Sequence, residues 1–112
     1  MLPEIDPKVI FFGLIGLAVV IEVAADIFLK KWAMENQFLL LAIGLVIYFI
    51  GTIFWAFSLK HEYLSKAGAI FTILNLILVV LAGMIFFKEK LSLTQEIGII
   101  LGIISIALIE LA

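Results

Sequence analysis

Four long apolar runs alternate with short polar segments along the chain: Val9 to Leu29, Phe38 to Leu59, Ala67 to Phe87 and Thr94 to Leu111. Each is long enough to be read as a membrane span, since a core of about 30 Å takes roughly 20 helical residues. Charge enters the last three runs only at Glu96 and Glu110, at the ends of the fourth. The connectors KKWAMENQ, KHEYLSK and KEKLSL are short, which makes consecutive helices antiparallel hairpins. Pro3 and Pro7 are confined to the leader MLPEIDPK, so the first helix is expected to begin just after Pro7. With no linker, repeat or low-complexity tract, the pattern predicts an all-α membrane protein, one four-helix transmembrane domain over residues 1–112.

Composition strengthens this reading. Of the 112 residues, 66% are hydrophobic and 14% charged, against the roughly 45–50% apolar content of soluble domains, and the mean hydropathy is +1.37. The net charge of -2, with no basic run or stacking aromatic array, argues against a nucleic-acid partner. There is no cysteine, so neither disulfide nor zinc-thiolate chemistry is available, and the single His61 cannot build a metal cluster. No cofactor is implied. The first run is longer than the roughly 7–15 apolar residues of a signal peptide, and Lys8 is the only basic residue before it. No nucleophile, base and orienting group can be placed together, so a transporter is expected rather than an enzyme.

The chemistry-bearing residue is Glu22, a carboxylate inside the first apolar run. Charge in hydrocarbon is costly and is usually retained for function. Asp26 follows at i+4, on the same helix face. Counted from Leu29, Glu22 lies about 10 Å inside the helix end and Asp26 about 5 Å. Desolvation and a neighbouring carboxylate both disfavour the ionised form of Glu22, so protons and cations are expected to compete for it. A proton-coupled antiporter needs one site that holds either a proton or the cargo. No lysine lies within one turn of Glu22, whereas Asp26 has Lys30 at i+4 as a rival partner to substrate.

Softer signals accompany the acidic face. Tyr48 offers a hydroxyl and a π-face, and Phe71 a π-face, to a bound cation. Thr52 and Thr72 are also intramembrane. Asn75 requires a hydrogen-bond partner, either across a helix contact or on the substrate. Trp32 and Trp55 lie near segment ends, where interfacial tryptophan is the default. Gly98 and Gly102 form a GxxxG in the fourth helix, continued by Ser105, and suggest dimer packing. Gly13, Gly16, Gly44 and Gly51 fit ordinary close packing. The lysines divide three (Lys8, Lys60, Lys66) against four (Lys30, Lys31, Lys88, Lys90) between the two sides. So little bias permits insertion in both orientations and pairing as an antiparallel homodimer.

The run AVVIEVAADIFLKKWA resembles the first helix of the small multidrug resistance transporters, with Ala18, Glu22 and Lys30 at the family's spacing. Tyr48 falls where that family has a substrate-site tyrosine. FFKEKLS, with Phe86 and Phe87, resembles the end of its third helix, and GIILGIIS its dimerising fourth. The resemblance implies an antiparallel homodimer, or a paired heterodimer, that exchanges protons for a small cationic substrate through Glu22 of both subunits. Ala18, Asp26, Tyr48, Phe71 and Asn75 would support the site, and the expected location is the plasma membrane, among membrane lipid.

The third helix departs from that pattern. Phe71 replaces an almost invariant tryptophan, Gly68 replaces a tyrosine, and Ile73, Leu74 and Asn75 replace a Gly-x-Gly hinge. Ala25 lacks the tryptophan of guanidinium exporters. FTILNLILVVLAGMIFFKEKLSLTQEIGIILGIISI looks instead like the larger drug/metabolite transporter superfamily, which includes four-helix proteins proposed to flip undecaprenyl-phosphate sugars. The leading expectation is therefore a proton-coupled exporter of organic cations. The alternative is a translocator of a lipid-linked sugar or small metabolite, with Asp26 and Asn75 as contacts. A third is a non-transporting membrane subunit with a constitutive partner.

Overall fold

The computed structural model describes residues 6–111, and among these all regular structure is helical: α1 (Pro7–Glu35), α2 (Phe38–Ser58), α3 (Leu64–Phe86) and α4 (Leu93–Leu111). All four are long and apolar enough to cross a membrane. Pro3 lies outside the described residues. Pro7 opens α1, where its missing N–H costs nothing, and the Asp6 carboxylate accepts the Lys8 N–H at 2.9 Å.

α1 is longer than the hydropathy pattern predicts. It continues through Lys30–Glu35, residues that include good helix formers, and ends at Asn36, which takes a left-handed conformation (φ 58°) and donates its N–H to Trp32 O at 2.7 Å. Most of the expected first connector is therefore helix, leaving only Asn36 and Gln37 to turn the chain into α2. α3 likewise starts three residues before Ala67, at Leu64.

α1 is the central element, flanked by α2 and α3, and α4 packs against α3. Three of the four glycine contacts show how the α1 and α3 neighbours approach. Cβ atoms added to Gly44 and Gly51 would sit 2.8 Å from Leu29 Cδ2 and from Glu22 Cγ respectively. The backbones of Ala25 and Ala18 lie just behind. The seven-residue spacings of Ala18 with Ala25 and of Gly44 with Gly51 thus form one small-residue seam, the device that brings helices close in lipid. Gly102 meets Ile73 of α3, whereas Gly13, Gly16 and Gly98 face open space.

The core lies toward one end of the bundle. Phe11 and Ile15 of α1 pack with Ala67 and Ile70 of α3, and Trp55, Leu59, Phe71, Leu74 and Ile109 close around them. The Trp55 and Phe71 rings meet at 4.7 Å, joining α2 to α3. Lys8 pairs with Glu110, tying the start of α1 to the end of α4. At this end all four helices are joined.

Candidate functional site

On α1, Ala18, Ile21, Ala25 and Leu29 face α2, while Val23, Asp26, Ile27 and Lys30 face α3. Glu22 sits where these stripes meet. It is only 5% exposed, its Cγ lies against Gly51, and among the described residues it forms neither an ion pair nor a side-chain hydrogen bond. A side chain at position 51 would fill the space Glu22 occupies. That glycine is a site feature that its expected role in packing only half describes.

Asp26 is turned one step further toward α3. It lines a cavity of about 200 Å³ with Val23, Ile27 and Lys30 of α1, Val79, Ala82 and Gly83 of α3, and Phe87 and Glu89 beyond it. Asp26 and Lys30 share this cavity without forming an ion pair; the ion pairs among the described residues are Lys8–Glu110 and Lys66–Glu62. The expected alternative, that Lys30 simply neutralises Asp26, is therefore not realised in this conformation.

Glu89 is a member of the site that periodicity does not reveal, because it lies in a loop. Phe87 and Glu89 both donate backbone N–H bonds to Gly83 O at 3.1 Å, and Lys88 between them is left-handed (φ 55°). This cap folds the chain back over the helix end. The Glu89 carboxylate then lies over Gly83, where an added Cβ would be 2.5 Å from Oε1. The sequence signal was a glycine one turn before the helix end with an acid six residues later.

The remaining expected residues divide among different places. Ala18 is fully buried beside Glu22 in the α1–α2 seam. Tyr48 lies on the α2 stripe between Gly44 and Gly51, next to that seam, with its side chain exposed and Thr52 Oγ1 donating to its carbonyl. Phe71 packs against Trp55 at the closed end, the rings tilted by 51°; the α1–α3 register puts it about 15 Å along the bundle from Asp26. Asn75 lies one turn after Phe71 and one turn before Val79, and its Oδ1 is buried with no hydrogen-bond partner among the described residues. Gly98 and Ser105 are open or only partly covered, and Ser105 Oγ bonds to its own helix at Leu101 O. Gly102 contacts α3 within the chain. Trp55, three residues before the end of α2, packs against the cluster at the closed end.

These features describe a membrane bundle with a buried carboxylate beside a charged cavity. The family model of the EamA-like transporters matches residues 2–111. The chain belongs to the EamA-like transporter family. It is thus a multi-pass membrane protein of the drug/metabolite transporter superfamily, as the third and fourth helices suggested. No curated protein and no solved structure matches it.

Proposed function

We propose that this EamA-family chain is a proton-coupled antiporter that exports small organic cations across the plasma membrane, with Glu22 as the exchanging group. The burial of Glu22 with no cation partner among the described residues supports this reading above all. An ionised carboxylate in that position needs compensation; a proton or a cationic cargo each provides it, and the two exclude one another. Exchange at one group couples the two fluxes. Asp26 and Glu89 give the adjoining cavity a net attraction for cations, offset in part by Lys30.

The functional unit in this reading is an antiparallel homodimer, to which each copy brings its Glu22. Near-equal lysine numbers on the two sides support it, and the exposed Gly98 leaves part of the α4 glycine motif free for a second copy. A paired heterodimer would satisfy the same surfaces. Single-cysteine labelling of a connector, in a chain with no native cysteine, should report both sides of the membrane. Labelling from one side alone would remove dual insertion.

The deciding experiment is transport by Glu22→Gln in proteoliposomes carrying a pH gradient. The variant is expected to lose proton-driven cation flux and substrate-induced proton release. Undiminished flux would refute the mechanism.

One observation favours a second reading. Lys30 places a positive charge among the two acids of a cavity whose other walls are apolar, including Val79, Ala82 and Phe87. That mixture suits a headgroup carrying both charges on an apolar tail, as in a lipid-linked amino sugar. Headgroup translocation indifferent to a pH gradient would favour this alternative.

A further inference from the structure

The buried Asn75 oxygen has no hydrogen-bond partner among the described residues, although polar groups in hydrocarbon are normally satisfied. Its surroundings limit what can satisfy it. Ile73 faces α4 through Gly102, and Leu76 and Val80 line a cleft with Gly98 and Ile99 of α4. On the opposite side of α3, Phe71 joins the cluster of Phe11 and Ile15, and Val79 and Ala82 line the Asp26 cavity. Asn75, at i+4 from Phe71 and i−4 from Val79, lies on this second stripe. The parallel register of α1 and α3 puts it between the closed core and the cavity, about one turn from the level of Glu22.

We propose that Asn75 accepts a hydrogen bond from an N–H of the cargo, and so makes the transporter discriminate protonated amines from quaternary ammonium ions. The inference rests on the cation reading given above and narrows its substrate class. A carboxylate such as Glu22 attracts either kind of cation through charge. An amide oxygen rewards only a cation that carries a donor, because a quaternary nitrogen leaves it unpaired. Asn75 is a specificity residue in this scheme, and Glu22 remains the exchanging group.

The alternative occupant is a polar group on a second copy of the chain. The two differ in what removal of the amide does. If cargo satisfies Asn75, then Asn75→Leu replaces an unsatisfied polar group by an apolar one, and the cargo-free protein should unfold at the same temperature or higher. If a partner helix satisfies it, the variant should lose thermal stability and dimer.

The test is competition binding by the purified full-length protein in detergent, using benzylammonium and benzyltrimethylammonium as probes. Quaternary and primary ions differ in hydration, so the informative quantity is the change in their affinity ratio between variants. Asn75→Leu should shift the ratio by about tenfold toward the quaternary ion, the size of a hydrogen bond to a charged group. Asn75→Asp, which keeps an acceptor in place, should not shift it toward the quaternary ion. An unchanged ratio in Asn75→Leu, or a loss of dimer and stability in that variant, overturns the proposal while leaving the cation reading intact. Absence of binding by either probe in the wild type would reject both.

Discussion

The same two helices, α1 and α3, make opposite kinds of contact at their two ends. Toward the start of α1, Phe11 and Ile15 interlock with Ala67 and Ile70, Trp55 and Phe71 pack at a tilt beside them, and Lys8 reaches Glu110. Toward its end, Asp26 and Lys30 face Val79, Ala82 and Glu89 across a cavity. Side-chain choice accounts for the difference. The closed end has large apolar groups fitted around an alanine, whereas the open end combines charges with the small residues Ala82 and Gly83 and cannot fill its volume. Glu22 lies between the two, buried yet next to the opening. Under the proposed antiport, which needs one site exposed alternately to each side, the contrast would make the closed end the part that loosens.

The largest expected effect falls on the seam between the ends. Gly51→Leu places a side chain where Glu22 packs and should cost up to about 3 kcal/mol of stability, the upper range for overpacking, with transport lost as well. Thermal unfolding in detergent measures the first and proteoliposome flux the second. Gly13→Ala, into open space, is the control and should leave transport unchanged with stability equal or slightly higher.

Next come truncations to alanine at the two ends. Ile15→Ala should destabilise by about 1–2 kcal/mol, less than in a soluble core because lipid can replace part of the lost contact. Val79→Ala, in a wall of the cavity, should cost less than about 0.5 kcal/mol. Equal losses in denaturation experiments would erase the distinction between a packed end and an open one.

A smaller effect is expected at the loop. Gly83→Val drives the Glu89 carboxylate from its place over the helix end and should weaken cation binding by about twofold to threefold, the scale of a solvent-screened charge interaction. Titration with benzylammonium would measure it. Binding unchanged by this variant would separate Glu89 from the cation site. The smallest effect belongs to Lys8→Met, which removes the exposed tie to Glu110. A slight fall in unfolding temperature that disappears at high salt would mark the tie as an auxiliary clasp on the apolar cluster. A large, salt-independent fall would make the ion pair the principal closure.

Particular residues show how far the linear chain could be read. Glu22 and Asp26 were visible because charge stands out in an apolar run, and their i, i+4 spacing fixes one face whatever surrounds the helix. Gly44 and Gly51 were legible as packing residues because a missing side chain has meaning in lipid. The depth of contact between Gly51 and Glu22 was not, since it depends on the register of α2 against α1. Glu89 is hidden for a different reason. It has no periodic neighbour, and the left-handed Lys88 that turns it back toward Gly83 leaves little trace in hydropathy. The extra length of α1 is hidden because Lys30, Lys31 and Glu35 interrupt the apolar run while the helix continues through them, and hydropathy does not record helix propensity.

The sequence by itself determined the number of helices, their antiparallel succession and the presence of a carboxylate in the membrane, because each follows from local spacing and the cost of exposing polar groups to hydrocarbon. Tertiary structure alone decided which face meets which neighbour. It placed Glu22 against Gly51, Asp26 with Lys30 and Glu89 around one cavity, Phe71 against Trp55 at the closed end, and Asn75 between them, unpartnered among the described residues. Those relations depend on rotation and register between helices, which side-chain packing fixes and no single helix contains.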